Sequence, residues 1–429
     1  MEFRNLTPFS ASCFGALDPA GREHRVVVMR VVYALESQPQ QSGVLRARVL
    51  DEDAPDLEFS DRYVGSEGST SLVSESDLVP YKPRCDVLVG GSAHAPEGRA
   101  ATRWTVRLRV TAAAEPRNAG RLSTHHNGDD RRVLCDKTLV VHGPRVFLRT
   151  WGGGYTLQPA LATTAVPLLY ERAFGGSSFV ATSGGDGAPL LNEVCFQNPV
   201  GCGWRDARET PLLESNGQPV PDTMAAPQIE YPDNSVEGLH LARQRMGPLT
   251  PREMAAIAAA EPYRTAGFGP LGKAWSPRLQ LAGTYDNAWL EERWPLLPGD
   301  FNVGFWNGAP ADQQCDYPPP DARIEMLNLL DSAVTKGGVG VVELPGHRAF
   351  VLMRMKSGVM LPLPMVTDTV HIDTDRCRVA LVHRVSVPAR APVRVLEARF
   401  ETHPSKPLVS LARDVGQGPV RGAPASQGS

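Results

Sequence analysis

The sequence predicts a mainly β protein: a large, β-rich, sandwich-like unit with an irregular Gly/Pro/Trp-rich middle and few short helices. Three observations carry this. Strand-type patterns fill both ends of the chain, glycine (40) and proline (38) are abundant enough for frequent turns, and a single segment has helix-type capping. The 429 residues suffice for a large core. Residues 1–400 read as one domain, strand-rich over 1–150, irregular over 151–316 and strand-rich again over 317–400, with 401–429 as a disordered tail.

Among the N-terminal elements, His24–Leu35 (HRVVVMRVVYAL) is apolar on both faces and β-branched, the pattern of a central buried strand. In Arg103–Val110 (RWTVRLRV), Trp104, Val106, Leu108 and Val110 alternate with Arg103, Thr105, Arg107 and Arg109, which predicts a half-buried strand. Lys137–Phe147 continues the theme around a Gly143-Pro144 turn. Between them, Pro80 and Pro83 enforce extended backbone ahead of a short strand Asp86–Val89, which Gly90-Gly91 ends. In the C-terminal third, strands are expected at Val339–Leu344, Arg348–Met355, Arg378–Val385 and Val393–Phe400, whereas Asp321–Val334 suits helix or strand equally. The one helix begins at Thr250-Pro251-Arg252-Glu253, with a capping threonine, a proline in the first turn and a capping-box glutamate.

Composition excludes several function classes. A net charge of −3 and a pI near 6.4 leave no electrostatic footprint for nucleic acid or an anionic membrane. The longest apolar run, Val26–Leu35, is broken by Arg30 and too short to span a bilayer. The N-terminus lacks a cationic stretch followed by an apolar run, so no secretory signal is expected. Cys13, Cys85, Cys135, Cys195, Cys202, Cys315 and Cys377 are odd in number with no CxxC pair, which favours free thiols over disulfides or a zinc site. The expectation is a soluble, cytoplasmic protein.

Four of the seven tryptophans, Trp275, Trp289, Trp294 and Trp306, lie within Gly267–Asp312. Bulky rings interleaved with Gly and Pro predict a rigid, irregular centre on which the flanking strands pack. Its start, GFGPLGKA, imitates two nucleotide motifs, but Ala274 has no hydroxyl for magnesium and Pro270 removes a phosphate-cradling N–H. Asp286, Asp300, Glu171 and Glu230 lie in apolar, aromatic sequence where a general acid is conceivable. Arg172, Arg278 and Arg293 or loop N–H groups are the better-matched partners. His125-His126 lies in a polar loop, Asp373-Thr374-Asp375 lacks the rest of a calcium loop, and Cys195 and Cys202 flank a tight turn without a nearby histidine. No catalytic, cofactor-binding or metal-binding residues are assigned.

Taken in order, several blocks form a specific signature. They are DLVP-x-KP-x-x-DVLV-x-G-x-A-x-AP (Asp77–Pro96), PLLYERAFGG (Pro167–Gly176), NPVGCG, IEYP, AGFGP (Ala266–Pro270), WSPR (Trp275–Arg278), AGTYDNAW (Ala282–Trp289), RWPLLPGDF (Arg293–Phe301), NGAPADQQ (Asn307–Gln314) and DTVHIDTD (Asp368–Asp375). This series resembles the bacterial DUF 2169 family over residues 1–400. The chain departs from the family's usual pattern in a loop, His125–Arg132, and at a packing position near His383-Arg384. The resemblance implies a non-enzymatic adaptor or chaperone of type VI secretion, which helps load an effector, often with a PAAR-type tip, onto the VgrG spike. It implies no catalytic residues. The expected partner surface lies in Ser37–Gly43, Asn118–Arg132, Thr182–Pro189 and Asn216–Thr223, with addition of a strand to a sheet edge as one binding mode. Two alternatives are a glycosidase or amidase pairing Asp286 with Glu171 across an open cleft, and a carbohydrate-binding β-sandwich with exposed tryptophans.

Overall fold

Glu23–Ser37 is the longest strand and organises the main sheet. Its residues Val27, Met29, Val31, Tyr33 and Leu35 point into the principal core. On its other face Val28 packs with Leu57 and Val382, and Arg30 bonds Asp77 at 2.9 Å. Both faces are covered, which is why the sequence shows no alternation there. The computed structural model describes residues 1–38, 40–51, 54–114, 131–149, 151, 155–175, 178–180, 188–190, 198–202, 223–236 and 264–409.

Twelve strands form the main sheet. From one end they run Ile229–Glu230, Arg131–His142, Arg103–Ala113, Arg323–Leu327, Val339–Glu343, Val44–Leu50, Glu23–Ser37, Arg378–Pro388, Val366–Asp373, Cys85–Gly90 and Gln314–Cys315, with Ser10–Leu17 also pairing with Glu23–Ser37. The sheet curls until its two ends meet across the turn Ala311–Gln313 and the segment around Phe268. Lys137 Nζ donates to Gly267 O at 2.7 Å, Gln313 Oε1 at 2.8 Å and Asp312 Oδ1 at 3.0 Å. Gln313 Nε2 in turn donates to Val87 O at 2.6 Å and Phe268 O at 2.9 Å. Side chains thus finish a seam that backbone pairing leaves open. Burial drags the Lys137 ammonium down to about 8 against the pull of Asp312.

A second, four-stranded sheet follows the order Glu2–Asn5, Val393–Glu401, Arg348–Met355, Met360–Pro364. Its Val351, Leu396 and Ala398 join the same core cluster as Met29 and Val31, and Phe400 meets Phe9 edge-on at 4.8 Å. The sandwich-like layering is therefore a long curled sheet with a short sheet packed on it. In both, strands from the start of the chain pair with strands from its end: Glu2–Asn5 with Val393–Glu401, Glu23–Ser37 with Arg378–Pro388, and Cys85–Gly90 with Val366–Asp373.

The fold is mainly β, as the sequence predicts. The expected strands are present, and Lys137–Phe147 divides at Gly143-Pro144 into Arg131–His142 and Val146–Arg149. Asp321–Val334 resolves to the strand Arg323–Leu327. Ser10–Leu17, Val44–Leu50, Met360–Pro364 and Val366–Asp373 are strands that the sequence reading passed over. The expected helix from Thr250 and the residues from 410 onward lie outside the described residues, whereas Glu401 ends a strand and Arg348 binds the carbonyl of His403 at 2.9 Å. No helix among the described residues is long and apolar enough to cross a membrane.

His383 is buried between the sheets with Nδ1 3.1 Å from Thr367 Oγ1, and burial depresses its pKa to about 4. The unfolded chain protonates near the ordinary histidine value of ~6.5, so stability from this group is lost as pH falls from ~6.5 towards the folded value. The loss is about 2 kcal/mol at a pH of ~5. Urea midpoints should fall accordingly, and His383→Phe should flatten that slope. An unchanged slope in the variant would remove His383 from this role.

Candidate functional site

The sequence blocks converge on a buried polar network behind the main sheet. Asp86, which is fully buried, accepts from Lys82 Nζ (2.7 Å), Asn307 Nδ2 (2.9 Å), Gly308 N (2.8 Å) and Ala309 N (3.2 Å). One carboxylate thus joins DLVP-x-KP-x-x-D to NGAP. Burial works to strip Lys82 of its proton, but Asp86, Glu75 and Asp368 outweigh it and hold its pKa above the ordinary lysine value. Arg384 binds Asp368 Oδ2 at 2.5 Å and Asp77 O at 2.8 Å, which ties DTVHIDTD to the same layer. Thr374 Oγ1 accepts from Ser92 N at 2.8 Å and donates to Ser92 O at 2.9 Å, so the Asp373–Asp375 turn is a latch on a neighbouring strand.

The candidate carboxylates are dispersed among structural duties, and the arginines expected to hold them are elsewhere. Glu171 accepts from Ser71 N and Ser71 Oγ at 2.7 and 2.5 Å. Glu230 accepts from His142 Nε2 (2.7 Å), Arg145 (3.0 Å) and Val236 N (3.0 Å). Burial pushes Glu230 upward, and these three donors more than offset it, so it lies below the usual carboxylate range. Asp286 and Asp300 are exposed, contrary to the apolar setting expected for them. Asp286 caps the short helix Asn287–Glu292 through Trp289 N at 2.9 Å. Asp300 accepts from Thr284 N and Oγ1 at 2.9 and 2.7 Å. Arg278 pairs with Glu75 at 2.7 Å, Arg172 with the Gln228 side chain, and Arg293 with the carbonyls of Leu297 and Pro19.

The glycines that imitate a phosphate loop serve ring packing. A β-carbon on Gly267 would sit 2.3 Å from the Tyr170 ring, and one on Gly272 would sit 2.8 Å from the Trp275 indole. Those two rings meet edge-on at 5.1 Å, and Tyr170 OH donates to Gly269 O at 2.6 Å. Lys273 is paired with Asp61 at 2.7 Å.

Burial in the Trp-rich run is concentrated at its two ends, with Arg278 and Pro298 the buried residues between them, which corrects its expected role as a central scaffold. Trp275 and Asn307–Pro310 are buried, while the chain between them forms an excursion on the surface. Arg278 clamps its base, donating to Leu271 O (2.9 Å), Phe305 O (2.7 Å) and Glu75. Inside, Asn302 N bonds Leu281 O at 3.0 Å, and Trp289 Nε1 bonds Leu296 O at 2.8 Å. The excursion holds Leu279 (56% exposed), Tyr285 (55%), Leu290 (57%) and Trp294 (65%) out to solvent, among exposed polar residues that include Asp286, Asn287, Glu291 and Glu292. Contiguous exposed apolar patches mark interaction sites more often than singly scattered apolar residues do.

Beside it lies an apolar groove of about 280 Å³. Leu297, Val303 and Trp306 from the excursion form one wall; Leu17, Val26 and Tyr81 form another. The groove continues the outer apolar face of Glu23–Ser37, past the point where Leu57 covers Val28. Leu17 and Tyr81 are themselves 43% and 50% exposed. Sequence reasoning missed this face because a dense tryptophan count signals burial. The helix cap Asp286 and the clamp Arg278 were readable as residues, though their partners were not.

A family model described as "Uncharacterized protein conserved in bacteria (DUF2169)" matches residues 20–384. No curated protein and no solved structure matches the chain. The matched span contains the Asp86 network, the Arg278 clamp and the whole excursion, and it covers most of the sequence. The chain therefore belongs to the bacterial DUF2169 family.

Proposed function

We propose that this protein is a non-enzymatic adaptor of type VI secretion that binds an effector, one with a PAAR-type tip, and helps load it onto the VgrG spike. The observation that carries the reading is the excursion at residues 279–306, a braced loop presenting four large apolar side chains beside an apolar groove. Rigid anchors of this kind bind without a large ordering cost. The polar residues of the sequence blocks support the same reading, because they bond one another and hold that loop in place. Asp286 and Glu171, the pair a hydrolase would need, serve a helix cap and Ser71 respectively.

The docking mode that fits is side-chain insertion. Strand addition is disfavoured at Met360–Pro364, the outer edge of the small sheet. Met365 N bonds Ala349 O and Met355 N bonds Val359 O, so the odd-numbered residues there face the neighbouring strand. Pro362 and Pro364 then occupy the outward positions, where they have no N–H to offer.

Co-expression with the effector encoded beside the gene should yield a co-purifying complex, and gene deletion should stop secretion of that effector alone. Leu290→Asp and Trp294→Asp should each weaken the complex about tenfold to hundredfold, as loss of an interface anchor does. Their thermal unfolding should stay near that of the parent, since both side chains are exposed. Failure to form any complex would refute the adaptor reading. Full binding by both variants would move the contact surface elsewhere.

A further inference from the structure

Cys85 and Cys315 stand directly opposite each other in the antiparallel pair of Cys85–Gly90 with Gln314–Cys315. Both are wholly buried free thiols, and Cys85 Sγ donates to Asp86 O at 3.7 Å. Opposed residues in such a ladder have Cα atoms about 4.5–5.5 Å apart, inside the ~4.4–6.8 Å that a disulfide spans. The neighbouring thiol Cys135 is placed differently: it is opposite Val110, with its Sγ directed to Asp312 O.

We propose that Cys85 and Cys315 form a reversible cross-strand disulfide when the protein meets a low-molecular-weight disulfide such as glutathione disulfide. The Cys315 thiolate attacks one sulfur of the reagent, forming a mixed disulfide and expelling one glutathione thiolate. The Cys85 thiolate then attacks Cys315 Sγ and expels the second. Two protein thiols are oxidised, one reagent disulfide is reduced to two thiols, and the two protons pass to the departing thiolates. The order of attack follows from the site. Burial pushes the Cys85 thiol up, which disfavours it as the first nucleophile. Cys315 also belongs to a two-residue strand at the end of the sheet, the kind of element that opens locally ahead of the interior. The bond would pin the chain just after the Asn307–Ala309 loop to the sheet, beside the Asp86 contacts.

The test is refolding of the full-length protein from urea in a glutathione redox buffer, which removes burial as a barrier. The expected product is lighter by two hydrogens, loses two of its seven thiols in denaturant, and yields one peptide joining Cys85 to Cys315. It should unfold at higher urea than the reduced protein. Cys135→Ser should keep the cross-link and Cys315→Ala should lose it. Seven thiols retained, glutathione adducts alone, or a cross-link to Cys135 would each overturn the proposal.

Discussion

Replacing Asp86 with alanine is expected to leave little or no folded protein. The change strands the Lys82 ammonium, 5% exposed, in a layer where its nearest remaining carboxylate is Glu75 at 4.0 Å. Breaking a buried ion pair by removing one partner costs about 3–5 kcal/mol. The N–H groups of Gly308 and Ala309 lose their acceptor as well, at about 1–3 kcal/mol each. The total, on the order of 5–10 kcal/mol, rivals the ~5–15 kcal/mol that holds a typical domain together. Soluble yield and urea unfolding measure it, and a loss near 1 kcal/mol would show that the network matters far less than its burial implies. Adding Lys82→Met to the alanine variant should recover part of the loss, because the stranded charge is then gone.

Arg278→Leu should have the next largest effect and a different character. Its guanidinium joins Glu75, Leu271 O and Phe305 O, so one side chain closes the base of the whole excursion. Loss of it should cost about 3 kcal/mol or more, moderated because Lys273 and Lys82 stay within 3.8 and 4.0 Å of Glu75. The excursion should become the preferred site of proteolysis and fast amide exchange while the sheets stay protected. Arg278→Lys should behave similarly, since an ammonium cannot span the three acceptors that a planar fork reaches. Unchanged exchange across residues 279–305 would mean that the loop is held by its internal bonds alone.

Much of the sheet was legible in the sequence where burial has a local period. Arg103–Val110 alternates because one face meets the core and the other meets solvent, and its four expected core residues are buried. Val366–Asp373 was illegible for the opposite reason. Asp368 and Thr369 look like loop residues until Arg384 from the next strand and Lys82 from a distant segment arrive as buried partners. The same holds for the candidate site. Glu75 and Arg278 lie far apart in the chain, as do Arg145 and Glu230, so no spacing rule connects them. The general expectation that the middle's carboxylates serve as acceptors was sound, whereas the identity of each donor is a property of the fold. The exposure of Trp294 likewise depends on which groups the excursion uses internally.

The pairing of the first strands with the last has a consequence for how the protein is made. On the ribosome, Glu23–Ser37 emerges early, yet its partner Arg378–Pro388 is among the last segments synthesised. Glu2–Asn5 waits longer still, for Val393–Glu401. Nearly the whole chain must therefore be released before either sheet can close, and contacts of such sequence separation form slowly. Until then the apolar strand VVVMRVVYAL, which Ser10–Leu17 and Val44–Leu50 can pair on one side, is open along its other edge to association with other nascent chains. A chain broken off before residue 378 would lack the strand that flanks its longest one and should be cleared as unfolded material. Only finished copies would present the excursion, which would make completion of synthesis a condition for the binding proposed above.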